Sequence, residues 1–190
     1  MRLQDENKKE AIFEASIKLV NEIGFVSASV AKIAKEANVS PATLYIYHKN
    51  KEDLLVAIYT EIKRKLSEAM IIGYDIERPV KESMRLVWEN SLKFIGENQN
   101  YFQFAEQFSN SPFSDKVDKE KINEYFAPFY TLFQKGIDEK ILKNAPIDML
   151  GVFGFYPVMV LSNKKICTSF GEMKDGINIA FEMAWDAISL

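Results

Sequence analysis

The chain has 190 residues, 47% apolar and 27% charged, a composition of globular rather than disordered proteins. One cysteine, Cys167, and one histidine, His48, exclude an internal disulfide framework, a cysteine-based zinc finger and a multi-histidine metal centre. The net charge of −3 is unevenly spread: residues 1–65 carry +2 and residues 66–190 carry −5, and within 28–51 Lys32, Lys35, Lys49 and Lys51 face Glu36 alone.

The N-terminus is highly charged and has no continuous apolar stretch of the kind a signal peptide needs, so a cytoplasmic location is the default expectation. Helical periodicity begins at once. Ile12, Ala15, Leu19 and Ile23 recur at helical spacing over 5–23, and Gly24 stands where a helix would be capped. A short helix is predicted over 30–37 behind Ser29, and another over 41–47, where Ser40 precedes Pro41 as N-cap and first helical residue. Asn50 opens a longer helix to about residue 72, with Leu54, Leu55, Ile58, Ile62 and Leu66 on its inner side. Further helices are predicted over 79–95, 101–108, 117–135, 147–161 and 172–189. The apolar run Met149–Leu161 falls short of the roughly 18–20 residues of a membrane span. No strand alternation or hairpin turn appears, so the fold class is all-α, about nine helices in total.

The informative segment is Ser29–Leu55, which has the layout of a helix-turn-helix over 29–48. Val30, Ile33 and Ala34 share one face, Ala37 is small enough for two helices to cross, and Val39 and Leu44 close the common core. Asn38 stands in the turn, where a positive φ is easiest for glycine and next easiest for asparagine. The ordered matches Ile33-Ala34, Ala37, Val39-Ser40, Leu44-Tyr45, Tyr47, Lys51 and Leu54, preceded by Gly24-Phe25, resemble the DNA-binding domain of the TetR (tetracycline-repressor-like) family. Three residues depart from the family pattern: Asn38 replaces the usual Gly, His48 a common Phe, and Ala28 a frequent Thr.

The resemblance covers residues 6–66 and implies a DNA-binding domain there. Residues 67–190 would then be a helical domain for effector binding and dimerisation, the partners being operator DNA, a second copy and a small molecule. Ser29 presents a hydroxyl and helix N-terminal amides to phosphate, and Pro41, Ala42 and Thr43 stand at the exposed start of the recognition helix. Tyr47 and Lys51 resemble the family's phosphate-contacting positions. Lys32, Lys49 and Asn50 supply further backbone contacts, whereas Tyr45 is expected to pack inward.

Twelve of the fourteen Phe and both Trp follow residue 66. They form either an ordinary helical core or an apolar cavity, and the cavity lining would be Trp88, Leu92, Tyr101, Phe104, Phe108, Tyr125, Phe129, Phe133, Phe155 and Met159. The effector expected there is apolar or aromatic. The family also implies a two-fold dimer through the last two helices, using Val152, Phe155, Tyr156, Met159, Val160, Phe181, Ala184, Trp185 and Ile188; the alternative is that these residues pack within one subunit. His48 has no second His or thiolate nearby for a metal or catalytic role. Cys167 stands beside Lys164 and Lys165, which would favour the thiolate of a redox sensor, but an inert thiol is the expected reading, and no cofactor is expected. The competing functions are an architectural DNA-binding protein without effector response and a helical enzyme. The second lacks a recognisable nucleophile, base and orienting group.

Overall fold

Local sequence chemistry fixes where the first helix bends. Helix α1 (Arg2–Ser27) is interrupted at Gly24, whose φ of 76° lies in the left-handed region that glycine enters without penalty. The computed structural model describes residues 2–163, 167, 170, 173 and 175–190, and these fall into two compact units.

The first unit comprises the chain up to Lys63 together with Asn100–Asp118. It contains α1, α2 (Val30–Glu36), α3 (Pro41–Tyr47), the N-terminal part of α4 (Lys51–Met70) and most of α6 (Gln99–Ser109). Ile12, Phe13, Ala15, Ile17 and Val20 form the buried stripe of α1, while Ile23, expected on that stripe, is 40% exposed. The stripe meets Leu54, Leu55, Ile58 and Ile62 of α4, all buried as their spacing predicts. Rings complete this core: Phe25 lies edge-on to Phe104, Phe108 and Phe113, and Tyr59 stacks on Phe108 at 4.5 Å. Lys116, just after α6, pairs with Glu52 at the start of α4. Residues 100–118, which lie beyond the expected boundary at 66/67, pack in the first unit.

The second unit comprises Arg64–Gln99 and Lys119–Leu190. Its axis is α5 (Val80–Glu97), against which α8 (Ala127–Asp138), α10 (Tyr156–Leu161) and α11 (Gly176–Ile188) pack. The Trp88 indole N–H donates to the Gly154 carbonyl at 3.1 Å, a buried strut from α5 to α9 (Ile147–Gly154). Gly154 has no room for a side chain, since a Cβ there would lie 2.9 Å from Ile188 Cδ1. Arg85 lies 4.2 Å over the Phe181 ring while pairing with Glu182, which also binds Lys81. The hydrogen bond from Lys81, aided by Arg85, holds the Glu182 carboxyl below its ordinary range.

Two predicted helices are each divided. The 117–135 segment becomes α7 (Lys119–Tyr125) and α8, and the 147–161 segment becomes α9 and α10. Pro128 and Pro157 explain both breaks, because each sits in the first turn of the second piece, where a missing N–H costs nothing. The start of the last predicted helix, Glu172, lies outside the described residues, as do Lys164 and Lys165 beside Cys167. Among the described residues no helix is long and apolar enough to cross a membrane.

Candidate nucleic-acid interface

Two short helices joined by four residues need strong local stops, and this segment supplies them. Ser29 Oγ accepts from the Lys32 amide at 3.3 Å, and Ser40 Oγ accepts from the Thr43 amide at 3.1 Å with Pro41 in the first turn. Asn38 adopts φ 54°, the left-handed turn its side chain tolerates, and the Val39 amide returns to the Ala34 carbonyl at 2.9 Å. Asn50 Oδ1 accepts from the Asp53 amide at 2.8 Å and begins α4. Ile33, Ala34 and Leu44 are fully buried between the helices, so α3 is held by packing on one side and free on the other.

Of the expected contact residues Ser29, Lys32, Pro41, Ala42, Lys49 and Asn50 are exposed, and Thr43, Tyr47 and Lys51 are half-buried. Tyr45 is 55% exposed and Ile46 76%. The expectation that Tyr45 packs inward is therefore corrected: Leu44 alone fills the core position of this seven-residue helix. Ala42, Tyr45 and Ile46 stand at helical spacing opposite Leu44, and that spacing is the signal that could have placed them outward.

Three of the proposed phosphate contacts already have protein partners. The Lys51 ammonium donates to the carbonyls of Phe25 and Val26, and Lys32 Nζ donates to the Ser27 carbonyl at 3.1 Å. Both lysines thus neutralise the carbonyl end of α1, the favourable pole for a cation. Partial burial lowers the Lys51 pKa. The Tyr47 hydroxyl donates to the Asp5 carboxylate, which raises the pKa of the phenol, and the Lys9 ammonium lies 5.3 Å from the centre of its ring. His48 Nδ1 lies 3.7 Å from Asp53; burial lowers the imidazole pKa and Asp53 offsets part of that effect.

The expected cavity residues separate. Tyr101, Phe104 and Phe108 belong to the first unit, where the Tyr101 hydroxyl donates to Glu14 and its ring meets Phe13 edge-on at 5.3 Å. Desolvation, with the Glu14 hydrogen bond, pushes the Tyr101 pKa far up. In the second unit Phe129, Phe133 and Phe155 come together, with centroids 4.6 to 5.8 Å apart. Trp88 and Phe133 are fully buried, whereas Tyr125, Phe129, Phe155 and Met159 are half-buried. Leu92 instead lines an open cleft of about 670 Å³ with Glu89, Lys93, Met173, Ile177 and Asn178.

The residues expected at a dimer interface also divide. Phe181, Ala184, Trp185 and Ile188 are buried within one chain, against Trp88, Arg85 and Gly154 among others. Val152 and Tyr156 are 55% and 57% exposed, and Phe155, Met159 and Val160 are half-buried. Phe153 (58%) and Met183 (70%), outside the expected interface set, are exposed on α9 and α11.

A family model for bacterial regulatory proteins of the tetR family matches residues 12–58, and one for a tetracyclin repressor-like C-terminal domain matches residues 79–189. The crystal structure of a TetR family transcription regulator from Marinobacter aquaeolei is similar at a TM-score of 0.88 and 31% identity, covering 100% of this chain and 99% of that one. An uncharacterized HTH-type transcriptional regulator of Haemophilus influenzae is 26% identical over 188 residues, 99% of each chain. FadR of Bacillus subtilis, solved in complex with stearoyl-CoA, shares the fold at a TM-score of 0.61 and 20% identity, over 92% of this chain and 95% of that one.

Proposed function

The chain belongs to the TetR family of helix-turn-helix transcriptional regulators, and from that premise we propose that it is a dimeric repressor released from a near-palindromic operator by a small molecule. The observation that carries this reading is the rigidly capped α2–α3 pair, which leaves Pro41, Ala42, Thr43, Tyr45 and Ile46 on the open side of the recognition helix. Such a helix reads a major groove with few hydrogen bonds. Its apolar side chains suit thymine methyl groups, and Thr43 adds a hydroxyl. Ser29, Lys32, Tyr47, Lys49, Asn50 and Lys51 surround it as backbone contacts, which set register and make affinity fall steeply with salt.

The effector reading rests on the half-buried ring cluster of the second unit. Phe129, Phe133 and Phe155 meet ring to ring with Phe129 and Phe155 half-buried, and Tyr125 and Met159 are apolar half-buried residues of the same unit. The stearoyl-CoA bound by the Bacillus subtilis FadR is a precedent for a ligand with a long apolar part in this fold. The route to DNA is through α4, one continuous helix that contributes to both units, and through residues 100–118, which lie in sequence between sensor helices yet pack in the first unit.

The test begins with selection of duplexes from a randomised pool by the full-length protein. Binding of the enriched duplex is then titrated with and without stearoyl-CoA as probe, and stearoyl-CoA binding with and without the duplex. Regulation by that ligand requires the two couplings to be equal, and a tenfold effect corresponds to about 1.4 kcal/mol. No enriched sequence from the pool would refute the operator reading. Absent coupling would reject this ligand as effector.

A further inference from the structure

We propose that Asp5 masks Tyr47, so that the first turns of α1 act as an electrostatic brake on DNA binding. The proposal rests on the reading of Tyr47 as a phosphate contact. Tyr47 ends the recognition helix, and its hydroxyl has one proton to donate. That proton is given to the Asp5 carboxylate of α1. A phosphate diester is likewise an acceptor with a negative charge, so carboxylate and phosphate compete for one donor and repel each other.

The surroundings favour phosphate once the carboxylate has gone. Lys9 lies near both groups, 3.9 Å from Asp5 and 5.3 Å from the Tyr47 ring centre. Its ammonium offsets the Asp5 charge now and would serve a phosphate at the same place. His48, Glu10 and Glu61 line the cleft that Lys9 and Tyr47 share between α1, α3 and α4, so the local field is mixed and Asp5 is distinguished by its direct bond to the Tyr47 hydroxyl. Asp5 and Lys9 are both exposed on the surface of α1. The exchange of partners therefore needs a side-chain rotation and no rearrangement of the core.

The experiment is a double-mutant cycle on the full-length protein. A fluorescein-labelled duplex of mixed sequence is the probe, because phosphate contacts are independent of sequence. Asp5→Asn should tighten binding about two- to fivefold at low salt, the range of exposed charge pairs, and the gain should shrink as salt rises. Tyr47→Phe should weaken binding by a similar factor. In the Tyr47→Phe background the Asp5→Asn gain should fall to less than half, since no hydroxyl remains to unmask, while any release of Lys9 is common to both arms and cancels.

An equal gain in both backgrounds would overturn the mask and leave simple charge repulsion. Weaker binding by Asp5→Asn would overturn it too, by showing that Asp5 positions Tyr47 productively. Wild-type affinity for Tyr47→Phe would instead defeat the phosphate reading of Tyr47, and the mask with it. Thermal unfolding followed by circular dichroism should be unchanged for Asp5→Asn, because the residue is exposed.

Discussion

Replacing Met183 with Glu should dissociate the dimer while leaving the subunit folded. Met183 projects from α11 with 70% of its surface exposed, and Val152, Phe153 and Tyr156 of the α9–α10 segment are each exposed by more than half. Helices α9 and α11 are neighbours, held close by the bare Gly154 against Ile188, so their outward stripes offer a second copy an apolar patch. Full burial of a methionine side chain contributes about 1.5–3 kcal/mol. The exposed share of Met183 is then worth roughly 1–2 kcal/mol, and a two-fold interface loses it twice, about 2–4 kcal/mol. The dimer dissociation constant should rise roughly thirty- to a thousandfold, before the cost of burying the new carboxylates is counted. Sedimentation velocity over a dilution series reads this shift directly, with Phe153→Glu as an independent second variant. Trp185→Asp is the contrasting case. Trp185 is 8% exposed, stacked on Phe181 and covered by Lys81, so its loss should cost about 3–5 kcal/mol of subunit stability and broaden or abolish cooperative melting. Dimers of both Met183→Glu and Phe153→Glu that resist dilution as wild type does would refute the placement of the interface on this face.

Gly136→Ala should cost about 1–3 kcal/mol of stability, read as a lower urea midpoint, despite the better helix propensity of alanine, because its Cβ would stand 2.6 Å from Leu142 Cδ1 and 3.1 Å from Val80 Cγ1; an unchanged or higher midpoint would show that Leu142 yields easily. Lys51→Met should destabilise the first unit by about 0.5–1.5 kcal/mol, since the Phe25 and Val26 carbonyls lose their donor. As a phosphate contact Lys51 should also carry about one unit of the salt slope of DNA binding per subunit, and a slope unchanged in Lys51→Met would remove it from the backbone contacts. Burial depresses the His48 pKa below its ordinary 6.5, so the folded chain binds fewer protons than the unfolded one. Its contribution is complete above about pH 6.5 and is lost progressively as pH falls below that value towards the folded pKa. His48→Gln should flatten the stability–pH curve in that window, and an identical slope in wild type and variant would remove His48 from the account.

What was legible in the amino acids is what local chemistry decides. Ser29, Ser40 and Asn50 cap helices through contacts three residues away, Asn38 accepts the left-handed turn, and the stripe from Leu54 to Ile62 is buried on its own period. The all-helical class and the extent of the helix-turn-helix follow from those short-range terms. The breaks at Pro128 and Pro157 were equally local, and the continuous apolar pattern concealed them. An amphipathic stripe establishes that a helix has a partner but not which one. Phe104 and Phe108 are as apolar as Phe129 and Phe133, yet α6 packs them around Phe25 while the other pair meets Phe155. Phe181 and Trp185 read like interface residues until α5 covers them with Arg85 and Lys81, and Met183 on the same helix is left outside. Tyr47 shows the same limit for a polar group: its type and position suit a phosphate, but only the path of α1 brings Asp5, 42 residues away in sequence, to the hydroxyl. Burial and partnership of this kind depend on contacts between distant segments, and hydrophobic pattern carries no information about which distant segment that will be.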